Sequence, residues 1–463
     1  MSVDTGCLIN KGKMMSKLEK NIEEWREFYS ETGSMLEEDL DELEDHLREE
    51  INELEGQGLS DDEAFIVAVR RLGKVHSLSQ EYRKVNTHNL WKVLISETKE
   101  SAQEVSARKN LFLAIGLTIA AALMAEIPKL FGFTLDGEAF FYVKNMSFFF
   151  LPMIALYLFY KKEIELRNMI VVIIVYSLSL LLINLYPYVD PLNTAHLSIL
   201  HLPLFLWFFC GLAYTGKDWK KSQEWMDFLR FTGELFIYTV LLIGGVFVVT
   251  GIIMLLFEAI DINVENLVIE YFSFPAAIAM PVLASYLVEE KKSVVENLAP
   301  VLARIFAPIF LVILLIFLGV MIFFQKSPFM EREFLIGFDL MLVLVLSIVF
   351  YILSTRNQNQ PPLLYDWISL ALIITALAVD IVALSAILFR LRAFGISPNK
   401  MAALGENVLI FIHLLGTGIL FIQFFRGKID FSRIEKWQTD FLPAFALWLG
   451  IVALIFPLIF KFA

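Results

Sequence analysis

From residue 111 to the C-terminus the chain alternates apolar runs of about 20 residues with short polar breaks. A helix rising about 1.5 Å per residue needs that length to cross ~30 Å of hydrocarbon. The runs fall near 111–131, 140–160, 169–186, 197–215, 232–257, 268–287, 304–324, 334–354, 367–389, 401–425 and 440–460. They predict an all-α, polytopic helical membrane protein of about eleven transmembrane helices over residues 109–463. Pro275 and Pro281 interrupt the sixth run and predict a kinked or broken helix there. Trp219 and Trp225, in the basic stretch ahead of the fifth run, suit an amphipathic interfacial helix.

Before residue 109 the period changes. Apolar residues at Leu36, Leu40, Leu43, Leu47, Ile51 and Leu54 step by three and four, one stripe on a helix otherwise dense in Glu and Asp. Ser34 with Glu37, and Ser60 with Glu63, have capping-box spacing, and Gly56, Gly58 and Gly73 supply stops. Residues 17–87 therefore predict a small soluble bundle of three or four helices, one of them after His76, and 88–108 a polar linker helix. Residues 1–16 show no period and read as a disordered leader, or as the product of a start codon upstream of Met14 and Met15.

Composition agrees: 57% of residues are hydrophobic and the mean hydropathy is +0.64. The net charge of −12 is concentrated in the head, where residues 1–108 hold 24 acids and 14 bases. An acidic head argues against nucleic acid as a partner. Cys7 and Cys210 are the two cysteines, too few for a disulfide framework. His46 and His76 lack a Cys or His at ligand spacing, so neither metal nor cofactor is expected. Zinc-protease, nucleophile-elbow and phosphate-loop motifs are missing.

Basic residues in the short loops orient the spans. With the head in the cytoplasm, inner loops carry 15 Lys and Arg and outer ones 8. Three of those eight, Arg390, Arg392 and Lys400, sit together in LFRLRAFGISPNKMAAL, residues 388–404, between the ninth and tenth runs. Gly395 breaks the ninth helix there, Ser397 has the N-cap position and Pro398 the first helical one. A lysine in the first turn opposes the helix dipole unless an anion lies nearby. Arg390, Arg392, Ser397 and Lys400 are thus candidates for an anion or lipid-headgroup site. The other reading is unselective snorkelling to lipid phosphates. Asp380, deep in the ninth run, and Glu406 and His413, seven apart on the tenth, are candidate intramembrane polar residues. They form either a proton or cation path or hydrogen bonds that hold the bundle together.

Two resemblances accompany these motifs. The head segment EEDLDELEDHLREEINELEGQGLSDDEAFIVAVRRLGKVHSLSQEY, with Gly58, Ser60, Glu63, Ala64, Arg71 and Gly73 at motif positions, resembles the bacterial permease-prefix (HAAS-type) helical domain. That resemblance implies a regulatory or docking module. Arg390, Leu391 and Phe394 to Lys400 resemble the signature of a bacterial multi-pass family of unknown function (domain-of-unknown-function family 4153), to which NLAPVLARIFAPIFL from Asn297 is also similar. The second resemblance implies no activity. It favours a role for the 390–400 turn.

The expected protein is a bacterial cytoplasmic-membrane component that transports or senses an anionic or lipid envelope molecule, with a cytoplasmic regulatory head. Its expected partners are membrane lipids and, through the acidic head, a cytoplasmic protein. Two other readings stand beside it: an intramembrane lipid-modifying enzyme using Asp380, Glu406 and His413, and a signalling protein anchored by its bundle.

Overall fold

The computed structural model describes residues 17–31, 37–56, 58–72, 90–162, 165–290, 305–319 and 332–463. Among them there are helices and no strand. The chain divides between Ser106 and Ala107 into two compact units.

In the first unit, α1 (Lys17–Glu31), α2 (Glu37–Gly56) and α3 (Asp61–Leu72) enclose a small core. Leu40, Leu47, Ile51 and Leu54 of the stripe are buried against Ile22, Trp25, Ala64 and Ala68. Gly58 takes φ 95°, and Leu59 N–H donates to Leu54 O at 3.2 Å, closing α2 as its glycines predict. At the start of α3, Ser60 Oγ and the Ser60 amide both donate to the Glu63 carboxylate, at 2.7 and 3.2 Å. Those two donors hold the Glu63 carboxyl below the usual carboxylate range. Arg48 crosses from α2 to α1, its two terminal amines donating to Glu19 at 2.8 and 2.9 Å. The Ser34 cap, Gly73 and the helix expected after His76 lie outside the described residues.

In the second unit, ten helices among the described residues are long and apolar enough to cross a membrane. The first span, Arg108–Phe131, continues α4 (Leu90–Glu126), so the expected linker and first span are one helix. The next are α5 (Ala139–Lys161), α6 (Leu166–Leu185), α7 (Asn193–Thr215), α8 (Ser222–Glu258) and α9 (Glu265–Glu290). After the shorter α10 (Ile305–Gly319) come α11 (Arg332–Thr355), α12 (Leu364–Phe394), α13 (Pro398–Phe425) and α14 (Ser432–Ile459). The run expected at 304–324 is described only as α10. Outward faces are apolar: on α8, Phe236, Leu241 and Leu255 are 69%, 67% and 67% exposed, as lipid-facing positions require.

Two details differ from the sequence expectation. Ser222–Glu258 is one continuous helix of 37 residues, and Trp225 is buried in the bundle instead of lying at an interface. Trp225 stacks on Phe208 at 5.1 Å, because aromatic residues of α7 face it across the helix pair. The break in α9 is a π-helical turn, Ile269–Ser273, placed just ahead of Pro275. α14 uses the same device, with a π turn at Ile451–Ile455 ahead of Pro457. Pro457 has no N–H for the carbonyl of Ala453, which accepts from Ser198 Oγ at 2.7 Å instead. Tyr186 Oη donates to the next carbonyl, Leu454, at 2.7 Å.

Two large apolar cores, with two smaller clusters, build the bundle among the described residues. One joins α4 to α9, and the other joins α10 to α13 with Met226 of α8 and the start of α14. At one end of the second, Arg356 and Asp366 make a bidentate pair at 2.8 and 3.0 Å, and each side chain is 6% exposed. Asp366 also accepts the Leu363 amide at 2.7 Å, tying the start of α12 to the same carboxylate. Asp366→Ala leaves the buried guanidinium without its counter-charge and is expected to destabilise the bundle by about 3–5 kcal/mol. Thermal unfolding of purified protein in detergent measures it.

Candidate functional site

Between the two cores lies a cavity of about 850 Å³, walled by α7, α8, α11, α12, α13 and α14. Its chemistry changes along its length. At one end stand Asn193, His201, Asp339, Arg390, Ser397, Asn399, Lys400 and Glu406. Towards the other end the wall is apolar and aromatic, with Leu204, Trp207, Phe208, Phe228, Phe350, Leu442 and Phe445. From Asp339 to Phe350 the drop along α11 is about 16 Å at roughly 1.5 Å per residue.

The polar residues converge because α7, α11 and α13 all begin, and α12 ends, at this side of the bundle. Gly395 closes α12 with φ 73°, a conformation that disfavours a side chain, and Pro398 opens α13 two residues after Ile396. Ser397 occupies the N-cap position in extended geometry, but its side chain makes no capping bond and it contributes to the cavity wall instead. Lys400 resolves its own electrostatic conflict. Its ammonium turns back and donates to the carbonyls of Gly395 at 2.6 Å and Phe394 at 3.2 Å, the negative end of the preceding helix. The anion that the sequence pattern asks for at this lysine is thus replaced in part by backbone carbonyls.

Deeper in the mouth, Asn399 Nδ2 donates to Asn193 Oδ1 at 2.9 Å, joining α13 to α7. Two turns further, His201 and Glu406 join the same two helices through Nε2 and Oε1. Asn407 Nδ2 donates to Asp339 Oδ1 at 2.7 Å and to the Ala403 carbonyl at 2.8 Å. Trp448 of α14 lies across Gly405, and a Cβ added at Gly405 would meet its ring at 1.9 Å.

The cavity has a side opening. Among its exposed lining residues are four apolar ones: Leu200 (67%) and Leu204 (51%) on α7, with Ile336 (56%) and Leu340 (62%) on α11. An opening edged by such residues faces hydrocarbon.

Of the anion candidates, Arg390, Ser397 and Lys400 line this cavity and Arg392 does not; Arg392 is exposed on the outer surface of the turn. Of the intramembrane candidates only Glu406 reaches it. His413 is fully buried behind the wall, with Phe350, Phe441 and Phe445 ring centroids at 5.1, 5.2 and 5.6 Å. Asp380 is also fully buried, and neither of its oxygens has a hydrogen-bond partner among the described residues. The three therefore do not meet in one place. Asp339 was missed from the sequence, although an acid within the apolar run 334–354 obeys the rule that singled out Asp380. Among the described residues no group of His, Cys, Asp and Glu has the arrangement to hold a metal ion.

The charge balance follows from one bond. Leu197 O can only accept, so the His201 Nδ1 that meets it at 2.8 Å carries a proton. Nε2 and Glu406 Oε1 then need one further proton between them, which makes the pair neutral overall. Among the described residues, what remains on the wall is Arg390 and Lys400 against Asp339, a positive surplus. Comparison with family models, curated protein sequences and solved structures gave no match.

Gly405→Ala is expected to displace Trp448 into the cavity, lowering stability by about 1–3 kcal/mol. Quenching of tryptophan emission by a lipid-soluble quencher reads the displacement.

Proposed function

We propose that this multi-pass membrane protein binds an anionic amphipath in the cavity, as a transport or sensing component for an envelope lipid. The headgroup lies between Arg390 and Lys400 and the chain runs along the aromatic wall. The observation that supports this reading is the graded cavity itself: a positive end and an apolar body, reached through an apolar side opening. A soluble anion needs neither the apolar body nor that opening, whereas a lipid needs both. The volume falls within the ~300–1,000 Å³ of pockets that hold one small organic ligand. The membrane is the bacterial cytoplasmic one, as the resemblance of the 390–400 turn implies. In the orientation with the head in the cytoplasm, the polar end faces outward and the opening lies in the outer half of the bilayer. The acidic head is then a regulatory contact for a cytoplasmic protein, in keeping with its resemblance to permease-prefix domains.

Calorimetric titration of the purified protein in nonionic detergent tests the cavity with three probes. Lysophosphatidylglycerol is expected to bind more tightly than lysophosphatidylcholine, and inorganic phosphate not at all at the same concentration. Combining Arg390→Ala with Lys400→Ala should weaken lysophosphatidylglycerol roughly tenfold or more, since each charge-assisted contact contributes about 1.5–3 kcal/mol. Arg392→Ala should leave it unchanged. Equal binding of inorganic phosphate reassigns the site to a soluble anion, and no binding by any probe refutes it.

Orientation is tested in cells by a membrane-impermeant maleimide, with Cys7 replaced by Ser. Asp136→Cys, exposed in the loop before α5, should label in intact cells, whereas Lys220→Cys should label only after lysis. The reverse pattern puts the polar end of the cavity in the cytoplasm.

A further inference from the structure

We propose that the cavity takes up its anionic ligand together with a proton, held by the His201–Glu406 pair. This rests on the lipid-binding reading above and adds a second, chemically distinct ligand to the same site.

The proton inventory of the pair is set by geometry. His201 belongs to α7 and Glu406 to α13, and both line the polar end of the cavity. Nδ1 of His201 is committed as a donor to the Leu197 carbonyl at 2.8 Å. Nε2 meets Glu406 Oε1, so a single proton lies between a ring nitrogen and a carboxylate oxygen. In that state the pair is neutral whichever atom holds the proton. It accepts one more, giving imidazolium beside carboxylic acid, with a net charge of +1. The proton comes from water, and no bond other than N–H or O–H changes.

The surroundings decide when that second proton is held. From α12 the cavity presents Arg390, from α13 Lys400, and from α11 Asp339, which accepts from Asn407. The lining residues of α14 and α8 carry no charge. With the cavity free of ligand, the two cations oppose a second proton on the pair. A headgroup that carries negative charge to Arg390 and Lys400 cancels that opposition. The doubly protonated pair then becomes a counter-charge for the headgroup. By linkage, a ligand that raises proton affinity is itself bound more tightly as protons become more abundant. Asp339 on the wall and Asp380 behind it do not alter the sign, because both carry the same charge before and after the ligand arrives.

The test uses the full-length protein in nonionic detergent and lysophosphatidylglycerol, whose phosphodiester keeps one negative charge over about pH 4 to 8, a window that takes in both carboxylate and histidine titration. Calorimetric titration in two buffers of different ionisation enthalpy counts the protons exchanged on binding. The expected result is uptake of up to one proton per ligand, with affinity rising by up to about tenfold for each unit fall in pH. The double variant His201→Gln with Glu406→Gln, which keeps neither titratable member of the pair, should bind with the proton count near zero and a flat pH profile. If wild-type protein binds and the observed heat does not depend on the buffer, the inference is overturned while the lipid site stands. Uptake that persists unchanged in the double variant also overturns it, by placing the proton elsewhere. Absence of binding in every buffer removes the lipid reading and this inference with it.

Discussion

A peptide group facing hydrocarbon has no water to bond, and the bundle is arranged around that constraint. Where a span is regular, its own helix satisfies every carbonyl. Where a proline interrupts α14, two side chains from other elements complete the bonding. Ser198 donates to Ala453 O and Tyr186 to Leu454 O. The bonds that repair the break therefore also fix α14 against α7 and the loop before it. Lys400 applies the same solution at the end of α12, supplying charged donors to two terminal carbonyls. Each irregularity in the backbone thus becomes an attachment between helices, and the polar end of the cavity is assembled from such attachments.

Packing alone does not fill the space between the two cores. The aromatic residues of α7 and α8 stack on one another, with Trp207 and Phe228 centroids at 5.4 Å, and stiffen one wall. On the other side Phe350 and Phe445 shield His413 from the cavity. A rigid apolar wall and a hydrogen-bonded polar mouth leave a preformed volume, so a ligand loses little free energy to rearranging the protein.

The architecture was legible in the sequence where a period or a length encodes it. The Leu40–Leu54 stripe became the core of the head, and ten of the eleven apolar runs are spans among the described residues, two of them, Ser222–Glu258 and Ser432–Ile459, starting well ahead of their apolar limits. The 390–400 cluster was legible as a place but not as a geometry. Three of its four named residues line the cavity, while Arg392 one turn away from Lys400's partners does not. Nothing local could reveal the His201–Glu406 pair, whose members are separated by 205 positions, or the Asn193–Asn399 bond across 206. Pairings of that kind depend on which helices become neighbours, and helix order is not written in hydrophobic periodicity. The interfacial reading of Trp225 failed for the same reason: its stacking partner Phe208 lies on another helix.

If the proposed lipid is the ligand, the side opening between Leu200, Leu204, Ile336 and Leu340 has a consequence for how strong its binding must be. A ligand arriving from dilute solution gives up translation in three dimensions and rotation about every axis, at an estimated cost of 4–15 kcal/mol. A lipid reaching the same cavity through its wall has already been confined to a leaflet, with its headgroup at fixed depth and its chain aligned. Most of the ordering has been done by the bilayer before contact. A few charged groups at the right height are then sufficient to distinguish one headgroup from the many that drift past.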